Sequence, residues 1–157
     1  RALIHAIARV RDHRGRALVI VQRFLIYLLR YNDNSTNRFV DDYYLASIIN
    51  ALAGTLIPID SAGYSTHADE TYSPEEMELR AVAIQEVERL QVLDRLVPSY
   101  HNVVTIAALD FHQALVFANL RPLELVHFLE YTREGNFPPV RMAALNALLL
   151  LLSLIHI

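Results

Sequence analysis

One pair of potential metal ligands, Glu124 and His127, stands at helical i,i+3 spacing in this sequence. Di-iron helical bundles use such a Glu-x-x-His pair, but they need two copies of it together with two further glutamates. The sequence has one copy, and its seven histidines are otherwise scattered. We therefore expect no metal site, and we interpret His127 as a helix-surface or partly buried residue.

The residue types used in nucleophilic or phosphate chemistry are absent or isolated. There is no Cys and no Gly-x-Ser-x-Gly elbow, and the four glycines form neither a P-loop nor a dinucleotide fingerprint. Two carboxylate pairs, Asp41-Asp42 and Glu75-Glu76, are adjacent in sequence, so their side chains point in different directions on a helix. Both pairs lie at the starts of predicted helices, where capping explains them. We expect no catalytic residue, no cofactor and no enzymatic activity.

Arginines form the best candidate for a binding surface. Residues 1–38 contain eight arginines against two acidic residues, whereas the rest of the chain contains six against fifteen. Arg16, Arg23 and Arg30 lie seven residues apart and share one face of a predicted helix. Such a strip can meet DNA phosphates or an acidic subunit. The alternative is a solvated face, or pairing with acidic neighbours in the next repeat. No aromatic residue is expected to alternate with the arginines as a base-stacking platform, so DNA contact would be insensitive to sequence.

A polar loop follows the arginine strip. It begins with Asn32, Asp33 and Asn34 and continues to residue 37 with side chains that favour turns. One interpretation is a solvated connection, and the other is an ordered turn that positions contacts with a partner. The loop residues therefore join the three arginines as candidate contact residues.

Several tyrosines are a further set of candidates. Tyr43, Tyr100 and Tyr131 could anchor an interface, because tyrosine is enriched at binding hot spots. The alternative is packing between helices with the hydroxyl group at the edge. For Tyr44 we expect packing.

The apolar periodicity predicts six helices in three antiparallel pairs, with no convincing strand. Residues 1–10 are expected to end a helix that began upstream, and residues 12–15 to form a turn. Ser73 and Glu76 form a predicted capping box, and Gly135 is a predicted left-handed helix stop. The six predicted helices span residues 16–31, 41–57, 73–96, 98–119, 122–134 and 138–151.

A six-residue pattern with small residues recurs at helical positions. Its copies begin at residues 44, 104 and 140, so the steps between them are 60 and 36 residues. A helix pair of about 33 to 47 residues is the unit of an α-solenoid, and small residues let neighbouring helices approach closely. We therefore predict an all-α, HEAT-like α-solenoid of about three antiparallel helix pairs. It occupies residues 1–151 as a segment of a longer chain, and residues 152–157 are expected to be a non-native or frayed tail.

Longer motifs carry a resemblance to a known family. They are Leu28-Leu29-Arg30-Tyr31-Asn32-Asp33-Asn34, Asp42-Tyr43-Tyr44, Leu96-Val97-Pro98-Ser99-Tyr100 and Glu130-Tyr131. Together these motifs resemble the C-terminal helical region of the TBP-associated factor subunit 2 family of the general transcription factor TFIID. The resemblance covers roughly residues 16–151.

The resemblance implies a non-catalytic scaffold in the nucleus that supports TFIID assembly and core-promoter engagement in initiation by RNA polymerase II. The implied partners are other TFIID subunits, including TBP-associated factor subunit 8, and promoter DNA through its phosphates. The alternatives are a sequence-independent DNA-phosphate-binding module and an unrelated helical-repeat adaptor. No membrane partner is expected, because polar residues interrupt the apolar stretch 143–157 before it reaches the ~20 residues of a bilayer span.

Overall fold

Seven α-helices and one 3₁₀ turn make up the ordered elements of the computed structural model, which describes residues 2–59 and 72–155. Within these ranges there is no strand, only an isolated bridge between Arg11 and Ala17. No helix in the same ranges is long and apolar enough to cross a membrane. The helices are α1 (Ala2–Ala8), α2 (Val19–Arg30), α3 (Asp42–Leu56), α4 (Pro74–Leu96), α5 (Val103–Phe117), α6 (Leu125–Thr132) and α7 (Pro138–Ile155), with the 3₁₀ turn at Tyr100–Asn102.

Consecutive helices pair, and the pairs stack in two layers. α2 packs on α3, α4 on α5 and α6 on α7. The second helices form one layer, because α3 contacts α5 extensively and α5 contacts α7. α1 also packs on α3, as the second helix of a preceding pair would. In the other layer α2 contacts α4, and an ion pair of 2.7 Å between Arg95 and Glu130 joins α4 to α6. The predicted all-α solenoid of three helix pairs is confirmed.

The small-residue pattern lies where the second helices meet. Its three copies fall in α3, α5 and α7. Ala46, Ala107, Ala108 and Ala144 are all buried. A larger side chain at these positions would force the helix axes apart, because protein interiors are close-packed. The recurring alanines therefore set the spacing of this layer.

Two apolar cores result from the stacking. The larger core unites residues of α1 to α5, and the smaller core joins α5 to α6 and α7. α5 contributes to both, since Phe111 and Leu115 belong to the larger core and Leu109 to the smaller. A helix covered on opposite sides is apolar around most of its circumference, which explains the composition of α5.

The predicted first helix is shorter at its start than the sequence indicated. α2 begins at Val19, and Arg16 lies in the preceding turn instead. The cause is Asp12, whose carboxylate accepts hydrogen bonds from the backbone N–H groups of Arg14 (2.8 Å) and Arg16 (2.9 Å). These bonds offer the backbone an alternative to helix geometry.

The predicted fourth helix also starts later, at Val103 rather than at Pro98-Ser99. His101 and Asn102 have φ values of 57° and 50°, a left-handed conformation that interrupts the helix. The buried carboxylate of Asp94 stabilises this turn, accepting from the N–H groups of Ser99 (2.6 Å) and Thr105 (3.0 Å).

Other predicted boundaries have mixed outcomes. The capping box is confirmed, with Ser73 and Glu76 each accepting from the backbone of the other at 3.2 and 2.7 Å. Gly135 has the expected left-handed φ, 103°. α6 begins at Leu125, three residues after Pro122. The predicted loop at 59–72 lies mostly outside the described residues. α7 continues to Ile155, and the non-native origin of residues 152–157 stays a prediction.

Candidate partner-binding surface

The three candidate arginines all reach carboxylates of α4. Nη1 of Arg16 lies 3.2 Å from both carboxylate oxygens of Glu76, and this pair is largely buried. Arg23 and Glu75 form an exposed pair at 2.5 Å. Arg30 contacts Glu86 at 2.8 Å. The arginines therefore link the first helix pair to the second, which is the intramolecular alternative that the sequence left open.

We call the three pairs Arg16–Glu76, Arg23–Glu75 and Arg30–Glu86 the ladder. Glu86 is its most enclosed carboxylate. Its side chain is buried and accepts hydrogen bonds from Arg30 and from Arg89 (2.9 Å). Burial alone would raise the pKa of Glu86, but the two guanidinium groups hold it below the ordinary value. Arg89 also donates to the backbone carbonyl of Leu29 at 3.3 Å, which ties α4 to the end of α2.

Two tyrosines accompany the ladder. Tyr27 and Tyr31 are exposed, and their ring centroids lie 4.7 Å apart. They line an open groove between α2 and α4, of about 370 Å³, together with Arg23 and Arg30. The expectation that no aromatic residue alternates with the arginines is therefore wrong. In the sequence, the i,i+4 spacing of Arg23, Tyr27 and Tyr31 already indicated that these residues share one helix face.

Unpaired positive charge lies beside the ladder rather than on it. Among the described residues of the basic N-terminal segment, Arg9, Arg14 and Arg38 form no ion pair with a carboxylate. The guanidinium group of Arg38 instead lies 5.5 Å from the centre of the Phe39 ring. Arg11 donates to the backbone carbonyl groups of Ala8 and Gly54. Free arginines are the ones that an external phosphate or carboxylate reaches without breaking an internal contact.

The polar loop is an ordered turn. The side chain of Asn32 donates to Asp41 at 2.7 Å, so the loop is closed at the start of α3. Asp33 accepts from the backbone N–H of Ser35 at 2.9 Å, and Asn34 accepts from the side chain of Asn37 at 2.5 Å. The carboxylate of Asp41 is thus directed into the loop and makes no cap bond to α3. The capping role expected for Asp41 is wrong for this reason.

The turns within the three helix pairs lie along one edge of the stack, which we call the turn edge (residues 31–41, 97–102 and 133–137). They share an edge because the first helices run parallel to one another and each second helix returns. The backbone N–H of Tyr100 donates to Asp42 at 2.8 Å, which joins the first turn to the second. His101 stacks between Tyr100 and Phe137, with centroids 3.9 and 5.7 Å away, which joins the second turn to the third.

Large apolar side chains are exposed on the turn edge. Phe39 is 76% exposed and Tyr100 is 60% exposed, and the neighbouring Val40 and Val97 are exposed as well. An open groove of about 490 Å³ separates the second and third turns, lined by Arg95, Asn102, Tyr131 and Phe137 among others. Clustered exposed aromatic residues with an adjacent groove are typical of protein interaction surfaces.

The sequence identified the turn edge only in part. Tyr43 and Tyr100 are exposed, as an interface role requires, Tyr131 is half-buried, and Tyr44 packs against the larger core as expected. Phe39, His101 and Phe137 were missed as candidates. For Phe39 and Phe137 the signal was position, since each lies in a predicted turn that follows a predicted helix. His101 lies within the predicted helix 98–119, so the sequence pattern gave no signal for it.

A cluster of polar groups fills the joint between the second and third pairs. Arg121 donates to Nδ1 of the buried His112 at 2.7 Å and pairs with Glu88 at 2.9 Å and Glu124 at 3.6 Å. The rings of His112 and His127 meet edge to face, 4.8 Å apart. Burial first, and the Arg121 charge second, lower the pKa of His112 to about 3. Within the described ranges no group of three or more acidic, His or Cys side chains could hold a metal ion.

Comparisons with known proteins agree with this architecture. The family model described as "TAF2-like, TPR repeats" matches residues 1–154. The transcription initiation factor TFIID subunit 2 of Schizosaccharomyces pombe is 32% identical over 155 residues, which is 94% of this chain and 12% of that protein. Subunit 2 of Gallus gallus is 32% identical over 142 residues (90% and 12%), and that of Caenorhabditis elegans is 38% identical over 123 residues (78% and 11%).

The chain therefore spans only about an eighth of the length of these curated relatives. The family description classes the repeats as TPR, whereas the sequence pattern suggested the HEAT type; both are stacks of antiparallel helix pairs. The match over nearly the whole chain and the stacked pairs lead to the same conclusion. The chain belongs to the TAF2-like family of helical repeats.

Proposed function

We propose that this chain is a non-catalytic scaffold segment of a TFIID subunit, which supports subunit assembly and core-promoter engagement during transcription initiation by RNA polymerase II in the nucleus. The observation that carries the proposal is the family match over residues 1–154 on a stack of three helix pairs. The related proteins are named as subunits of an initiation factor. A stack joined by ion pairs and continuous cores suits a rigid scaffold.

The turn edge is the surface that we propose for contact with another TFIID subunit, TBP-associated factor subunit 8 being the first candidate. The seams between the described helix pairs are filled by the two cores, so those faces are already used. The turn edge instead presents Phe39 and Tyr100 to solvent, with Asn32, Asp33 and Asn34 in the adjoining loop. Aromatic residues supply contact area at low entropy cost, while a polar rim adds hydrogen bonds.

The scaffold role is tested in the full-length protein. An affinity-tagged full-length protein and a version that lacks residues 1–157 are purified from nuclear extract, and the retained TFIID subunits are quantified. We expect the intact protein to retain other subunits, and the shortened one to lose at least one of them. Equal recovery of every subunit by both versions would contradict the proposal.

A second candidate function is contact with DNA phosphates by the N-terminal arginines. The observation that favours it is unpaired charge at Arg9 and Arg14, beside the ladder of Arg16, Arg23 and Arg30. Binding to duplex DNA should weaken as salt rises, because each neutralised phosphate releases counterions. Replacing Arg9 and Arg14 by Gln should reduce the slope of log K against log [salt] by about 2. A salt-independent affinity would exclude this candidate.

A further inference from the structure

The internal repeat gives most residues of α7 an equivalent in α5 and α3. The steps of 60 and 36 residues place Ala46, Ile106 and Met142 at equivalent positions. The same steps relate Ile49 to Leu109 and to Leu145, one helical turn further on. Ala53, Gln113 and Leu149 form the next equivalent set. Positions three and four residues apart form one stripe along each helix.

In the first two copies most of this stripe is covered, with Gln113 half-buried. Ala46 and Ile49 of α3 are buried in the larger core. Leu109 of α5 is buried in the smaller core that α7 completes, and Ile106 packs against the same core. On α5 the stripe is therefore the side on which the following pair stacks, since α7 completes the core that holds Leu109.

In α7 the equivalent side chains are exposed. Met142 is 56% exposed and Leu149 is 67% exposed, and Leu145 is also exposed. The side of α7 that faces α5 and α6 is by contrast fully used, with Val140 and Ala144 buried. We call Met142, Leu145 and Leu149 the α7 stripe. These residues match interface positions of α5, but no helix of the described chain packs on them.

We propose that a further helix pair of the same polypeptide covers the α7 stripe in the full-length protein, its second helix stacking on α7 as α7 stacks on α5. The argument is continuity with the α5–α7 interface already present, in which α5 uses the same register. The covering helix should resemble the face that α7 turns towards α5, with Val140, Ala144 and Leu148 at four-residue spacing. The curated relatives are much longer than this chain, so members of the family have chain length for additional pairs.

The two methionines of the sequence provide a matched pair for the test. Met142 lies on the α7 stripe, and Met77 lies on α4 with a similar exposure of 47%. Hydrogen peroxide oxidises accessible methionine to the sulfoxide, and mass spectrometry reads each site separately. The full-length protein, purified free of partners, is oxidised in its native state and in urea, so that each methionine is compared with its own unfolded rate.

We expect Met142 of the native full-length protein to oxidise at least about tenfold more slowly than in urea. Replacing Leu149 by Lys should return Met142 towards its unfolded rate, because a charge at the seam disrupts the covering contact. Replacing the exposed Val92 of α4 by Lys serves as the control and should leave Met142 protected. Met142 oxidation within about twofold of the unfolded rate would overturn the proposal. Protection that appears only when a TFIID partner is added, or that is lost on dilution, would also overturn it, in favour of a partner helix or a second copy.

Discussion

Arg16 and Glu76 form an ion pair that connects the first helix pair to the second, between the turn that precedes α2 and the capping box of α4. Nη1 of Arg16 lies 3.2 Å from each carboxylate oxygen of Glu76. Arg16 is held in its turn by Asp12, and Glu76 closes the capping box of α4 with Ser73. Because both ends are fixed in advance, the ion pair costs little side-chain entropy. It therefore contributes more than an ordinary surface pair does.

Removing Arg16 should destabilise the protein more than removing Arg23. We expect Arg16→Ala to lower the free energy of unfolding by about 1–2 kcal/mol, since its partner is largely buried. Arg23→Ala breaks an exposed pair and should cost less than about 0.5 kcal/mol. Urea unfolding followed by circular dichroism measures both changes. Equal losses for the two variants would show that the capping box gives the Arg16 pair no advantage.

Larger side chains in place of the buried alanines between the second helices should force these helices apart. Ala108 of α5 is fully buried in the larger core, so Ala108→Leu should lower the free energy of unfolding by about 1–3 kcal/mol through overpacking. Ala81→Leu on the exposed face of α4 is the control and should be close to neutral. Thermal unfolding distinguishes them. A tolerated leucine at position 108 would mean that the seam is not closely packed.

Replacing Gly15 and Gly54 by alanine should change the free energy of unfolding in opposite directions. Gly15 has φ of 72°, and a Cβ atom there would lie 1.7 Å from the carbonyl oxygen of Ile59. Gly15→Ala should therefore destabilise by more than about 1 kcal/mol. Gly54 lies inside α3 with open space around it, so Gly54→Ala should stabilise by about 0.5–1 kcal/mol. Chemical unfolding of both variants checks the signs, and a stabilising Gly15→Ala would refute the geometry of this turn.

Acid should destabilise the protein partly through His112. Its pKa is lowered from 6.5 to about 3 in the folded chain, so between these values the unfolded chain binds the additional proton. Stability should then fall as pH is lowered, by at most about 1.4 kcal/mol per pH unit from this residue. Burial and Arg121 also lower the pKa of His127, which adds a change of the same sign.

The contribution of His112 is the part of the decline between pH 6.5 and pH 5 that replacing this residue removes, because His127 contributes in the same interval. The pKa values of Glu76 and Glu86 are lowered from 4.5, so these carboxylates titrate little in that interval. His112→Asn keeps an acceptor for Arg121 but cannot take up a proton, and it should flatten the decline. Gln113→Asn, which changes no ionisable group and lies on the same helix as His112, is the control and should retain the wild-type slope. Parallel profiles for wild type and His112→Asn would contradict the assignment.

Local signals were sufficient to predict most of the fold. The capping box, the proline that begins α7 and the small-residue pattern, whose copies begin at residues 44, 104 and 140, define helices and their stacking from spacing alone. The two displaced helix starts have a non-local or side-chain cause. The carboxylate of Asp12 accepts a hydrogen bond from the backbone N–H of Arg16, and that of Asp94 accepts from the backbone N–H groups of Ser99 and Thr105 across a turn. Apolar periodicity does not reveal such side-chain-to-backbone bonds.

The candidate surface was harder to predict, because it depends on which turns come together. The heptad spacing identified Arg16, Arg23 and Arg30 as one face, but it could not show that α4 carboxylates lie opposite them. The stack of Tyr100, His101 and Phe137 joins residues 36 positions apart, which only the repeat geometry brings into contact.

The most direct test of the scaffold proposal replaces exposed turn-edge residues in the full-length protein. Phe39→Ser and Tyr100→Ser remove apolar contact area at solvent-exposed positions. Tyr100→Ser also removes the ring that stacks on His101, so the fold of each variant is checked by circular dichroism. Val92→Ser on the outer face of α4 is the matched control. Quantitative recovery of TFIID subunits from nuclear extract is measured for each variant. We predict that the double turn-edge variant loses at least one subunit by about tenfold or more, while the control retains all of them. Wild-type recovery with the double variant would contradict binding through the turn edge.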